Sequence, residues 1–313
     1  MNAEPIDILI LAPQFAHAQA PRTHEYILHD YESIEAIGAA AHRIRGLITD
    51  GARGAPRELL EALPNLEIIS VCGVGYDRID LETCRRRQIN VTTARGVLSA
   101  DVADMALALT LGVLRRVVAA DRFVRAGDWR PTHHFPLSTS LKGKRMGIVG
   151  MGDIGIEIAR RAQAFRMEVG YHNRRIKEDS PFSYHPDLIS IARWSDVLVL
   201  CLPGGDATRH VVNKDVLDAL GPDGFLINVA RGSVIDEPAL ISALQERRIK
   251  GAGLDVFADE PHVPPTLKSC DNVVLQPHIA SATRETRAEM AALVFRNLDA
   301  QFAARPLLTP LAF

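Results

Sequence analysis

Little in this chain points toward a large partner. Aromatic residues make up only 5% of its 313 positions, and no run of like charge exceeds the three arginines Arg85, Arg86 and Arg87. A formal charge of −2 leaves no electrostatic footprint for nucleic acid or an anionic membrane surface, so the expected partners are small molecules. No stretch reaches the roughly 18 consecutive apolar residues that a membrane helix needs. The N-terminus places Glu4 and Asp7 before a short apolar run, Ile8 to Leu11, and so lacks the basic start and the length of a signal peptide. Cytoplasm is the expected compartment. The four cysteines, Cys72, Cys84, Cys201 and Cys270, form no C-x-x-C pair and sit in or beside apolar runs. They read as buried reduced thiols rather than a disulfide framework.

What the chain does have is enough apolar material for two cores. Apolar residues reach 47% against 24% charged, and the length is about twice that of a typical domain. Short apolar runs predict strands at 6–11, 46–49, 67–71 and 89–91, with helices near 56–63 and 78–86. Such alternation predicts a parallel sheet. A long apolar helix is predicted from Ala100 to about Ala120; its all-round apolarity suits burial between larger bodies, as a link between domains or at a subunit interface. A loop from Gly127 to Ser140 follows, holding Trp129, Pro131, Phe135 and Pro136. Beyond it come strands at 145–149, 167–171, 196–201, 224–229, 251–255 and 272–275, and helices at 153–165, 214–220 and 237–247. A last helical stretch, Thr283 to Phe302, suits packing back on the first domain. The expected architecture is therefore two doubly wound α/β domains with a cleft between them. Residues 1–98 and 286–313 form a flavodoxin-like substrate domain, and residues 99–285 a Rossmann-type dinucleotide domain.

The dinucleotide reading rests on Gly150-Met151-Gly152-Asp153-Ile154-Gly155, a G-x-G-x-x-G that follows an apolar strand and opens a helix whose expected inward face is Ile154, Ile158, Ala162 and Phe165. Gly150 permits the tight turn, Gly152 lets backbone approach a pyrophosphate, and Gly155 lets helix and strand pack closely. The pyrophosphate then sits on the free N–H groups of the helix N-terminus. An NAD site calls for Asp or Glu about 20 residues on, at the tip of the second strand. Here the tip reads Tyr171-His172-Asn173-Arg174-Arg175, with no carboxylate to repel a 2′-phosphate and two guanidinium groups to pair with it. NADP(H) is the expected cofactor, with NAD(H) second.

Three polar residues follow apolar strands in the same half of the chain: Arg231, Glu260 and His278. Ligands of open α/β sheets bind at the carboxyl ends of strands. Hydride arriving at C2 of a keto acid leaves a developing alkoxide, and a histidine supplies its proton. A carboxylate orients that imidazole, and a fixed guanidinium binds the substrate carboxylate while polarising the keto oxygen. A further glycine-rich turn, Val71-Cys-Gly-Val-Gly-Tyr-Asp77, leaves the amides of Val74 and Gly75 free as a small anion nest.

Together the fingerprint, Val229-Ala-Arg-Gly, Gly253-Leu-Asp-Val-Phe with Glu260-Pro, and Pro277-His-Ile-Ala-Ser resemble the D-isomer-specific 2-hydroxyacid dehydrogenases from about residue 60 onward. Within that family the resemblance is strongest to the NADPH-dependent glyoxylate/hydroxypyruvate reductases and the similar hydroxyphenylpyruvate reductases. It implies Arg231 as substrate binder, His278 as proton donor, Glu260 as its partner, Asp255 at the nicotinamide end and Val229 supporting the ring through its backbone. It also implies Val74 and Gly75 as the substrate loop, and a homodimer. One departure is a second Ala-Arg-Gly, at 94–96, which makes Arg95 a rival carboxylate binder. An NAD-linked dehydrogenase of another substrate and a dinucleotide-sensing corepressor-like protein are the alternatives.

Overall fold

The computed structural model describes residues 4–12, 22–30 and 34–312. The chain forms two compact units, residues 1–98 with 281–313 and residues 99–280. The first holds β1 (Ile6–Ile10), β2 (Tyr26–His29), α1 (Ile34–Ile37), β3 (Ile44–Thr49), α2 (Arg57–Ala62), β4 (Ile68–Val71), α3 (Leu81–Arg87) and β5 (Asn90–Thr92). The second begins with α4 (Ser99–Leu114) and α5 (Val117–Arg125), then β6 (Arg145–Val149), α6 (Asp153–Ala164), β7 (Glu168–His172) and β8 (Ser183–Tyr184). It continues through α7 (Leu188–Trp194), β9 (Val197–Leu200), α8 (Lys214–Leu220), β10 (Phe225–Asn228), α9 (Glu237–Gln245), β11 (Gly251–Leu254), α10 (Pro265–Lys268) and β12 (Val273–Leu275). The helix α11 (Arg284–Phe302) belongs to the first unit again, and its N-cap Thr283 accepts from the Thr286 amide.

Both sheets are parallel throughout. Unit one runs β2-β1-β3-β4-β5, the flavodoxin-like order; unit two runs β12-β11-β10-β9-β6-β7-β8, the Rossmann order with one strand added at the end. Parallel strands covered on both faces read as unbroken apolar runs rather than alternation. All five residues of β1 and all four of β9, β10 and β11 are buried. The outer edge of β5 is covered by the C-terminal segment, where the Leu311 amide donates to Val91 O at 2.8 Å and Thr92 bridges Pro310.

Several expectations need correction. The second sheet has seven strands, not six, because β8 joins its edge. The strand β2 went unread. The helix expected from 100 to 120 is two helices, broken at Arg116, whose φ of 55° is left-handed. Apolar residues of α4 are buried against α6, β10, β11 and β12 within their own unit, with Gly112 against Val274 and Gly253 against Leu109. By contrast α5 buries nothing. Exposed apolar residues lie there and in the loop beyond, at Val117, Val118, Val124, Trp129 and Leu137, the last 98% exposed. Phe165 is the exposed C-cap of α6, not part of its inward face. All four cysteines are free, but only Cys72 and Cys84 are buried; Cys201 and Cys270 are half-buried.

Candidate active site

Unit two places its glycine turn between β6 and α6, at the point where the strand order reverses between β6 and β9. Gly150 has φ of 103°, and a Cβ there would lie 2.9 Å from the backbone of Cys201 and Leu202. A Cβ on Gly155 would meet Gly150 O at 2.4 Å, so helix and turn touch through it. No neighbour lies within 4 Å of where a Cβ on Gly152 would be, and the first turn of α6 begins at that open position. The three glycines thus divide into two that pack and one that leaves room. Beneath the turn, burial pushes the Cys201 thiol up to about 12, and it donates to Gly150 O at 3.0 Å.

Met151 corrects the sequence reading. Its side chain is 1% exposed and its amide donates to Asn173 Oδ1 at 2.7 Å, so neither faces a ligand. The same bond fixes Asn173 by its oxygen, and its amide nitrogen remains a donor. Arg174 and Arg175 follow, both exposed. The base of their loop is held by β8 and its flanks: Tyr184 Oη donates to Asn173 O at 3.3 Å, the His185 amide to Tyr171 O at 2.8 Å, and His172 Nδ1 meets His185 O at 2.9 Å. Two-residue β8 has no apolar pattern to find in the sequence; the nearest signal is the pair of tyrosines, Tyr171 and Tyr184.

At the carboxyl ends of β10, β11 and β12 three loops knit together. Asn228, fully buried, donates through Nδ2 to Arg231 O at 2.9 Å, accepts from the Ala230 amide at 3.0 Å, and receives the Asp255 amide on its carbonyl at 3.0 Å. Val229, also buried, donates its amide to Leu200 O at 3.2 Å. A Cβ on Gly232 would overlap the Phe257 carbonyl carbon at 1.9 Å, so only glycine lets the Arg231 loop lie against the one that carries Glu260. Asp255 is 1% exposed and accepts from the Ile279 and Ala280 amides at 2.9 and 3.0 Å, while its own carbonyl accepts the His278 amide at 2.8 Å. Burial pushes its carboxyl up, against the pull of those amides and of His278. Both oxygens of Asp255 therefore hold the turn that carries His278, whose φ is 54°.

Glu260 completes the arrangement. Its Oε1 accepts the Phe257 amide at 3.0 Å, and its Oε2 lies 2.6 Å from His278 Nδ1. Burial favours the neutral acid here. The bonds from His278 and Phe257, with the charges of His278 and Arg231, outweigh that and hold the carboxyl below its usual range. A carboxylate only accepts, so the proton between them sits on Nδ1, and Nε2 is the ring atom left to act on a ligand. The imidazole is 43% exposed and the carboxylate side chain 30%. Sequence reasoning named Arg231, Glu260 and His278, and unit two brings all three together. It missed Asn228, which a buried amide ending an apolar strand should have signalled.

In unit one, β4 and β5 lie side by side, and the loops leaving their carboxyl ends hold Val74, Gly75 and Arg95. The Ala94 amide donates to Gly73 O at 2.7 Å, joining the two loops.

Residues 107–280 match the family model for the D-isomer specific 2-hydroxyacid dehydrogenase, NAD binding domain. A 2-ketogluconate reductase of Gluconobacter oxydans is 50% identical over 310 residues, 99% of each chain. The chain belongs to the D-isomer specific 2-hydroxyacid dehydrogenase family. It is accordingly an oxidoreductase. Another member, glyoxylate/hydroxypyruvate reductase A of Arabidopsis thaliana, is 44% identical over 98% of this chain and 99% of its own. Among solved structures of the family, the NADPH-dependent glyoxylate/hydroxypyruvate reductase of Sinorhizobium meliloti, in complex with NADP and malonate, superposes with a TM-score of 0.92 at 42% identity. That match covers 99% of this chain and 97% of the other.

Proposed function

We propose that this dehydrogenase reduces small 2-keto acids to D-2-hydroxy acids with NADPH. The observation that carries the reading is the 2.6 Å pair of His278 and Glu260, hung on Asp255 at the carboxyl edge of a sheet that opens with a glycine turn. The open space at Gly152 and the amides of Asp153 and Ile154 fit a pyrophosphate, while the Gly152 amide closes the turn on Gly150 O at 2.9 Å; Gly150 and Gly155 shape that turn. Asn173, Arg174 and Arg175 fit a 2′-phosphate, since no carboxylate stands at the strand tip to repel it. Met151 serves only by fixing Asn173. The bound cofactor supplies the hydride. Arg231 grips the substrate carboxylate and polarises its keto oxygen, while His278 delivers a proton from Nε2 to the oxygen that gains charge. Glu260 stabilises the imidazolium before transfer and keeps the ring in one orientation. Asp255 is a positioning residue, and Val229 lends its backbone to the ring. Val74 and Gly75 supply amides for substrate oxygens.

Family members named for glyoxylate, hydroxypyruvate and 2-ketogluconate supply the panel of substrates. The test is oxidation of NADPH, and separately NADH, on adding each of them. Turnover with NADPH well above NADH on at least one supports the reading; cofactor binding without oxidation of any would favour a sensor and refute it. We further assign a homodimer, supported by the exposed apolar residues of α5 and of the loop that bears Trp129 and Phe135, and a cytoplasmic location, supported by the four free thiols. Light scattering on the full chain tests the first.

A further inference from the structure

The segment that carries Arg174 and Arg175 has no secondary structure of its own to hold it. Parallel strands are ordinarily joined by a crossover of a dozen residues or more, most often a helix. Between β7 and β8 the chain instead runs through residues 173–182 with neither helix nor strand. Arg174, Arg175 and Ile176 lie exposed at its start. Among the described residues, these three make no hydrogen bond or ion pair of their own. A stretch with so few ties has freedom to lose when it closes on a ligand, and that loss weakens binding.

Two phenol hydroxyls hold the stretch at its ends. Tyr184 Oη donates to Asn173 O at 3.3 Å, just before the arginines. Tyr171 Oη accepts the Lys177 amide at 2.9 Å and donates to Lys177 O at 3.3 Å, just after Ile176. The tyrosines stand opposite each other on paired β7 and β8, with ring centroids 5.5 Å apart, so each braces the other. Tyr171 is 1% exposed and cannot follow the loop. A buried hydroxyl needs some partner, and phenylalanine would serve the packing as well. The partners of these two hydroxyls close on both ends of one short segment. Lys177 is exposed, so water can satisfy its main chain if the phenol is removed. The bonds therefore do more for the loop than for the core.

What they prevent can be read from the atoms they occupy. A helical turn over residues 173–177 would be closed by the Lys177 amide donating to Asn173 O, four residues back. Tyr171 takes that amide and Tyr184 takes that carbonyl. Continued into residues 178 and 179, such a turn would set Glu178 beside Arg174 and Asp179 beside Arg175, the spacing at which helical side chains pair. Among the described residues no ion pair joins these carboxylates to the two arginines. We infer that Tyr171 and Tyr184 are positioning residues for the 2′-phosphate of NADPH: their hydroxyls keep residues 173–177 from coiling, so that Arg174 and Arg175 stay clear of Glu178 and Asp179 and open to an anion. The inference rests on the cofactor reading proposed above.

The test is the Kd of NADPH and of NADH, read by nucleotide fluorescence, for the wild type, Tyr171→Phe and Tyr184→Phe, with melting curves as a check on folding. Each variant should bind NADPH roughly three- to tenfold more weakly, the loss that one or two neutral hydrogen bonds carry, and bind NADH like the wild type. Tyr184 is only half-buried, so its variant carries the test should Tyr171→Phe fail to fold. In an Arg174→Ala, Arg175→Ala background the same substitutions should change neither constant. Adding Glu178→Gln and Asp179→Asn to Tyr171→Phe should recover most of the lost NADPH affinity, a larger gain than the same pair gives the wild type. Equal weakening of both cofactors would overturn the inference, since the tyrosines would then serve only the fold. So would unchanged NADPH binding, a loss that persists without the arginines, or no recovery on removing the two carboxylates. A wild type that binds the two cofactors equally is a different result: it takes down the cofactor reading, and the inference with it.

Discussion

Glu260→Gln keeps shape and removes one thing, the ability to accept at both ends. The carboxylate takes the Phe257 amide at 3.0 Å on one oxygen and the His278 ring at 2.6 Å on the other. A glutamine offers one oxygen and one NH2. If the oxygen stays with Phe257, the NH2 faces Nδ1–H and donor meets donor, unless the ring proton moves to Nε2; if the oxygen turns to the ring, the Phe257 amide is left facing a donor. A charge-assisted bond is worth about 1.5–3 kcal/mol, and the partial exposure of this pair argues for the lower end. At ~1.4 kcal/mol per decade, kcat should fall about tenfold at neutral pH. The Glu260 carboxyl lies below the usual range, so the wild-type residue meets the ring as a carboxylate at neutral pH. Steady-state kcat with NADPH and glyoxylate at neutral pH reads the effect. A variant within twofold of wild type would refute the pairing as functional.

Other perturbations separate the remaining parts. The double substitution Arg174→Ala, Arg175→Ala should raise KM for NADPH by about tenfold, leave KM for NADH alone, and flatten the dependence of the NADPH value on salt. Asp255→Asn leaves one oxygen for the two amides of Ile279 and Ala280, so it should cost about 1–3 kcal/mol in denaturant unfolding and lower kcat more than KM. Asp299 gathers the Tyr26 hydroxyl at 2.7 Å, the Thr23 amide at 2.9 Å and the His24 ring at 3.2 Å; burial pushes its carboxyl up, yet these bonds hold it below its usual range. A lowered folded value is stability present above the unfolded pKa of ~3.9 and lost as pH falls through the folded one. Asp299→Asn should therefore melt lower than wild type at pH 7, and the gap should narrow as melting is followed below about pH 4.

The parts of the fold legible in the sequence are those buried on both faces. Strands β6, β9, β10 and β11 appear as short apolar runs because helices cover them on each side, and Thr283 announces α11 by capping it. Two of the four edge strands, β2 and β8, carry no such mark. Tyr26–His29 is half-exposed and bonded through His29 to Asp7, and Ser183–Tyr184 owes its place to bonds from its neighbours. Nothing at Arg116 resembles a helix breaker, since neither glycine nor proline stands there, and the apolar period carries on through Val117 and Val118. At the site the residue types were readable and their joinery was not. His278 and Glu260 stand 18 residues apart, and they meet because β11 and β12 are paired, Leu254 opposite Leu275. Spacing alone could not tell that Asp255 uses both oxygens to hold the histidine's turn, or that Met151 faces inward. Those depend on backbone conformation at Gly232, His278 and Gly150, which sequence pattern does not encode.

The central claim is that a hydride reaches C2 of a keto acid while His278 supplies the proton. It is tested most directly by giving the enzyme hydroxypyruvate and NADPH deuterated on the transferred position, then analysing the glycerate by mass and by chiral separation, with His278→Gln in parallel. The wild type should give D-glycerate carrying deuterium at C2, and the variant should form product at least about a hundredfold more slowly. The L-isomer, a product without deuterium, or a variant as fast as the wild type would contradict it.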